Sequence, residues 1–396
     1  MELTRDLGTA LESARARTDE LFELVRADAI YDRPIAERHR LIFYLGHVEA
    51  FDWNLLRAWK PDARLFHGEF DRLFAFGIDP PPGQLPCDQP RDWPGVPEVA
   101  AYNRRVRAEF DAVFDRLPEQ LCHIAIEHRL MHAETLAYIL HNMAYQKKVA
   151  PLNSGPGAPS DGRVDTVRHR MVDFAAGKVQ VGLPKDQGFG WDNEFQAHCV
   201  DVPAFSIGKY KVTNGQYLEF VRQGAPPPFF WHRDGDEWRY RGMFQDAELP
   251  LDAPVYVTHD EAEAFAKWRG MRLPSEPEFH RAASNSGVSS NVDFRYWDPI
   301  AVNADEAADA GPQQSAGPQQ MVGNGWEWTS TVFAPFPGFE PMPFYTNYSE
   351  PFFDGAHYVL KGGSPRTAAC MLRPSFRNWF RPAYPYLYST FRLVAS

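Results

Sequence analysis

Apolar residues return at every third and fourth position through four segments near the start of the chain, Leu7–Val25, Arg38–Leu56, Val99–Leu117 and Ile124–Met143. That period matches the 3.6-residue turn of a helix with one buried stripe, so residues 1–150 are expected to form a four-helix bundle. Between the second and third segments, residues 61–97 include the phrase FAFGIDPPPGQLPCDQPRDWPG, whose prolines and glycines oppose regular structure. A connection of that length is expected to be irregular and to cover one end of the bundle. Residues 151–168 are rich in Pro, Gly and Ser and read as a linker. From residue 169 onward the period changes, with short alternating runs (KVQVGLP, FSIGKYKVT, YVLKGG) set between turn residues, and one or two short helices near NGQYLEFVRQG and HDEAEAFAKWRGM. Residues 169–396 are therefore expected to form an irregular α+β domain, which makes the whole chain α+β with two domains.

Composition narrows the function. At 396 residues the chain exceeds one hydrophobic core, and 44% hydrophobic with 14% aromatic residues is too apolar for disorder. A formal net charge of −11 argues against broad attraction to nucleic acid or an anionic membrane, so small-molecule partners are expected, with no nucleic acid and no membrane. The start MELTRDLGTALESARARTDELFELV has no apolar signal-peptide core, and a cytoplasmic location is expected. Cys87, Cys122, Cys199 and Cys370 form no CxxC unit, which suits reduced thiols.

The candidate chemistry lies in three histidines. His128 and His132 are four apart in AIEHRLMHAETLAYILHNM and project from one helix face. His47, in YLGHVEAFDWN, is placed to add a third imidazole from a neighbouring helix. The plainer reading is that these are core histidines with satisfied nitrogens. Three converging neutral imidazoles suit iron, zinc or copper. Glu134 points away from the ligand pair on an ideal helix, and His141, nine residues after His132, leaves the ligand face.

Five ordered phrases in the second half, VTNGQYLEFV, MRLPSEPEFHRAA, GNGWEWTSTVFAPFPGF, YVLKGGS and RPSFRNW followed by FRLV, resemble the formylglycine-generating-enzyme fold, a C-type-lectin-like domain. With an N-terminal DinB-like bundle carrying HxxxHxE at His128, His132 and Glu134, the chain resembles the ergothioneine-type sulfoxide synthases. The resemblance implies Fe(II) held by His47, His128 and His132, and O2 used to attach sulfur to C2 of the hercynine imidazole. It further implies a tyrosine proton donor, Tyr348 or Tyr345 in PFYTNYSEPFF, and a hercynine pocket at Asn378 and Trp379. A packed aromatic is the plain alternative for either tyrosine. In the same family pattern Trp191, Asp192, Asn193, Glu194, Asn324, Trp326 and Glu327 are architectural. Formylglycine generation itself is not expected, because GGSPRTAACMLRPSF offers only Cys370 where a cysteine pair is needed.

The departures from the family pattern fall on the side of the chalcogen donor. The arginine-rich phrase that clamps an amino-acid donor is replaced by GQLPCDQPRDWPG, with Arg91 as its only arginine. The usual acid after Asn-Trp is Phe380, and the usual glutamine before the last ligand is Met131. A neutral donor fits these losses, so the chain resembles most the selenoneine-synthase branch, which takes a selenosugar; Asp88, Gln89, Arg91 and Trp93 are candidate donor contacts. An ergothioneine-type enzyme using γ-glutamylcysteine or cysteine is the second reading, and a non-catalytic sugar-binding or sensory module the third.

Overall fold

The computed structural model describes residues 2–64, 66–78, 84–151, 169–284, 286, 288–289, 291–305 and 317–395, with side chains from residue 7. It divides into two compact units, Met1–Leu152 and Asn153–Ser396. The expected linker at 151–168 lies, from residue 152, outside the described residues.

Among the described residues the first unit contains five α-helices: α1 (Glu2–Glu23), α2 (Leu41–Trp59), α3 (Gly68–Phe76), α4 (Val96–Asp111) and α5 (Glu119–His141). Helix α1 packs on α5, and α2 packs on α3, α4 and α5. Four of these helices answer to the four periodic segments. Helix α4 stops at Asp111 and tightens into a 3-10 turn at Phe114–Arg116, yet Phe110, Phe114 and Leu117 all stay buried. Burial of the apolar stripe survives the change of winding, and Pro118 then opens α5.

Helix α3 corrects the expectation of an irregular 61–97 connection. No proline stands between Pro61 and Pro80, and the nine residues GEFDRLFAF wind there with Phe70 and Phe74 buried. The Phe70 N–H donates to His67 Nδ1 at 3.2 Å at one end, and Gly77, with φ of +76°, ends the helix at the other. A Cβ at Gly46 would lie 2.4 Å from the Phe74 ring, so only glycine at that place in α2 admits α3. That close approach matters because His47 is the next residue.

Among its described residues the second unit holds the short strands expected from alternation and three α-helices, α6 (Asn214–Arg222), α7 (His259–Trp268) and α8 (Glu276–Ala283), where one or two are expected. Each begins with a capping box, at Thr213/Gln216, Thr258/Glu261 and Ser275/Glu278. One four-stranded sheet runs in the order Asn378–Phe380, Tyr358–Lys361, Trp326–Val332, Ser389–Thr390, with Val359 opposite Trp379 and Leu360 opposite Asn378. A second runs Met171–Phe174, Phe205–Gly208, Val394–Ala395, Met271–Arg272.

Two buried carboxylates tie distant parts of this unit together. Glu327 accepts from Lys211 Nζ at 2.6 Å and from Arg392 Nε at 2.9 Å. Glu276 accepts from Arg377 Nε at 3.0 Å, with Lys361 Nζ 3.8 Å away. Burial penalises the Glu276 charge, but Arg377, His280 and Lys361 outweigh it and hold its pKa well below the usual range. The Glu194 carboxylate takes Arg373 and the Ser375 hydroxyl, and Asn324 bonds the Ile300 backbone at both N–H and C=O. These are the polar residues of the family-like phrases, and they serve as fasteners.

Candidate metal centre and aromatic site

His47 sits on α2, and His128 and His132 sit one turn apart on α5. The ring centroids of His47 lie 5.3 Å from His128 and 4.5 Å from His132, and the His128–His132 pair is also 4.5 Å apart. One nitrogen from each ring falls within 4.8 Å of the others, and His47 Nε2 to His132 Nε2 is 3.0 Å. Nitrogens at neighbouring positions of an octahedral ion, about 2.1 Å from the metal, stand about 3 Å apart, a spacing the His47–His132 pair meets, and three imidazole nitrogens within 4.8 Å are a donor set of the kind a first-row cation takes. Among the described residues these three histidines are the group of metal-binding side chains brought this close, and neither Glu134 nor His141 belongs to it.

The surroundings set the protonation of the rings. His47 Nδ1 donates to the Phe74 carbonyl of α3 at 2.6 Å, which leaves Nε2 as the lone-pair nitrogen facing His132. Burial, assisted by neighbouring positive groups, lowers the His47 pKa to about 4. The same burial, with His47 and Arg129 nearby, takes His128 and His132 well below the ordinary histidine value. All three are neutral at pH 7, the form a metal requires. Phe51 stacks on His128 at 3.3 Å, and Phe43 on His47 at 4.7 Å, fixing two ring planes. Tyr44 lies 6.0 Å from His132, its hydroxyl pushed up to about 12 by burial, and Arg38 donates to the Tyr138 hydroxyl at 2.6 Å.

The second unit gathers the other expected residues. Tyr348 stacks on Trp191 at 4.1 Å and meets Trp379 edge-on at 5.3 Å, and Tyr345 lies 5.6 Å from Tyr348. Trp379 stacks flat on Phe333 at 4.3 Å. The Asn378 amide oxygen accepts the Trp379 N–H at 2.9 Å. Asp192 accepts from the Ser349 hydroxyl, and Asn193 Nδ2 donates to the same oxygen at 2.9 Å, so residues next to Trp191 grip the residue next to Tyr348. Burial, then the Asp192 charge, raises the Tyr345 pKa.

The remaining candidates scatter. Asp88 is buried and its carboxylate is occupied: Arg33 donates to one oxygen, and Arg40 Nε at 2.9 Å and Trp93 Nε1 at 2.6 Å donate to the other. Burial opposes its charge, yet these donors lower its pKa. Asp88 and Trp93 thus lock the segment before α4 to the segment before α2. Gln89 and Arg91 are exposed, Met131 is half-buried beside His132, and Phe380 stacks on Tyr384 at 5.2 Å. The Phe74 carbonyl, Phe51 and the Ser349 grip were not foreseen. A backbone acceptor has no sequence signature, whereas Phe51, four residues after His47, was readable as a neighbour on the same helix face.

Comparison with known proteins agrees with this two-part plan. Residues 10–144 match the DinB superfamily, and residues 162–396 match the sulfatase-modifying factor enzyme 1-like domain. The chain is 32% identical to the hercynine oxygenase of Mycolicibacterium smegmatis, covering 98% of each chain. It is 35% identical to the hercynine oxygenase of Mycolicibacterium thermoresistibile over 73% of this chain and 72% of that one. It is also 28% identical to ergothioneine biosynthesis protein 1 of Schizosaccharomyces pombe, over 94% of this chain and 54% of that one. The chain belongs to the hercynine oxygenase family, as an enzyme built from a DinB-type helical unit and a sulfatase-modifying-factor-like unit.

Proposed function

We propose that this enzyme forms a carbon–chalcogen bond at C2 of the hercynine imidazole, using O2 and an Fe(II) ion held by His47, His128 and His132, with a selenosugar as the chalcogen donor. The observation that carries the reading is the convergence of three neutral imidazoles in a chain of this family. Bound there, Fe(II) would supply open coordination positions that gather donor, acceptor and O2, together with the electrons for O2 chemistry.

The protein's own groups orient the acceptor and handle its proton. Asn378 turns its amide oxygen back to the chain, so its NH2 is the group offered to a carboxylate or ring nitrogen of hercynine. The indole of Trp379, backed by Phe333, offers a face to the trimethylammonium group. Tyr348, wedged between Trp191 and Trp379, is the preferred proton donor, and Tyr345 the alternative, its raised pKa keeping the phenol protonated at neutral pH.

A neutral donor is supported by what the donor-side residues are. Phe380 stacks with Tyr384 in place of an acid that would pair an ammonium, and Arg33 and Arg40 both spend donors on the Asp88 carboxylate rather than forming a free clamp for a substrate carboxylate. The likeness to the Schizosaccharomyces ergothioneine biosynthesis protein favours a second reading, a sulfoxide synthase that takes γ-glutamylcysteine or cysteine. Iron-loaded protein given hercynine and O2 with each donor in turn decides between them. Product from the selenosugar is expected; turnover with an amino-acid thiol alone replaces the first reading by the second. Introducing an acid by Phe380→Asp is expected to improve binding of amino-acid thiols, and unchanged affinity would remove Phe380 from the donor side.

A further inference from the structure

A second feature of the bundle is an ion cluster with a fully buried core on α2 and α5 and a partly exposed extension to α1 and α4. Arg129 on α5 has no exposed side-chain surface, and neither do Glu49 and Asp52 on α2. Its Nη1 donates to Glu49 Oε1 at 3.0 Å, and its Nη2 reaches Glu49 Oε2 and Asp52 Oδ2 at 2.8 Å each and the Val48 carbonyl at 3.0 Å. Arg107 of α4 adds a bond to Glu49 at 2.8 Å and pairs both oxygens of Asp19 of α1 at 2.7 Å.

Stability alone is a poor reason for such a cluster, because well-packed apolar residues commonly replace buried ion networks at no cost or with a gain. What it supplies is register. A planar guanidinium bound by four acceptors of one helix allows neither a slide nor a rotation of α5 against α2, whereas apolar side chains tolerate both. The position of the cluster is informative: Arg129 adjoins His128, and Glu49 follows His47 by two residues. Both helices that carry the histidines are therefore pinned at the level of the histidines. A metal tolerates displacements of only about 0.2 Å in its ligand distances.

The geometry points to Arg129, with Glu49 and Asp52, as the positioning device of the three-histidine metal centre, an inference that rests on the metal reading above. The test uses the full chain and Co(II) as the probe, read by its visible d–d spectrum and its affinity. The triple variant Glu49→Leu/Asp52→Leu/Arg129→Met removes every charge of the core of the cluster together. It is expected to keep its helical circular dichroism and its melting temperature within a few degrees, while Co(II) binds at least about tenfold more weakly with an altered spectrum. Arg129→Lys keeps the charge but loses the fork, and is expected to weaken Co(II) binding less while still shifting the bands. A merely structural cluster would move stability and leave the spectrum alone. An unchanged Co(II) spectrum and affinity in the folded triple variant, or in Arg129→Lys should the triple not fold, overturns the inference. Co(II) binding that is absent from the unsubstituted protein, or undiminished in His128→Ala, is a different result and overturns the metal reading itself.

Discussion

The two units build their sites in opposite ways. In the first, the histidines stand on long helices, and their geometry is a matter of how α2 and α5 are set against each other. In the second, Tyr348, Tyr345 and Trp379 stand on short strands and loops, and their geometry comes from stacking and from hydrogen bonds such as those of Asp192 and Asn193 to Ser349. A helix carries position over many residues, so a few buried ions suffice to align it. A loop has no such memory and has to be held at each turn, which is why the second unit is dense in buried fasteners such as Glu194, Glu276 and Glu327.

Perturbation separates the two designs. His128→Ala is expected to have the largest effect, abolishing stoichiometric metal and lowering turnover by at least about a hundredfold while the bundle stays folded; metal analysis and circular dichroism on the same sample check it. Retained metal would mean the triad is not the site. Glu276→Gln strikes the other design: it leaves Arg377 and Lys361 buried without their carboxylate, and is expected to cost about 3–5 kcal/mol in chemical denaturation, with the loss confined to the second unit.

Acid should distinguish the units as well. The three imidazoles stay neutral in the folded bundle but take up protons on unfolding below the ordinary value of 6.5, so the metal-free bundle loses stability as pH falls from 6.5 through about 4. Glu276 has a lowered pKa, so its contribution is complete above the ordinary carboxyl value of 4.5 and disappears only as pH falls below it. Helical circular dichroism is expected to respond at higher pH than the fluorescence of the tryptophan-rich second unit, and coincident transitions would refute the contrast. Ser349→Ala is the mildest test. It removes the hydroxyl gripped by Asp192 and Asn193, at an expected cost of about 1 kcal/mol, with a loss of turnover exceeding any loss of substrate binding if Tyr348 donates the proton.

Much of the molecule was readable before its coordinates. Four of the five bundle helices follow from apolar periodicity, and the His128/His132 pair from a spacing of four. The strands at Gly177–Val181, Phe205–Gly208 and Tyr358–Lys361 follow from alternation. Helix α3 is hard to read from the sequence because the prolines from position 80 onward dominate a stretch that contains only nine residues with helical spacing. Asp88 reads in the sequence as a candidate donor contact, and its partners Arg33 and Arg40 lie some fifty positions earlier, beyond the reach of any local pattern.

By itself the amino-acid order determined which residues are apolar on which face, where helices and strands begin, and which side chains have the chemistry to bind a metal, because those properties are local and repeat with the period of the backbone. Only tertiary structure decided that His47 meets His132 at 3.0 Å, that a carbonyl of α3 orients its ring, and that Asp88 is engaged by two arginines. Each of these is a contact between segments far apart in the chain. Such contacts depend on how helices and loops pack in three dimensions, and on the requirement that buried charges and donors find partners.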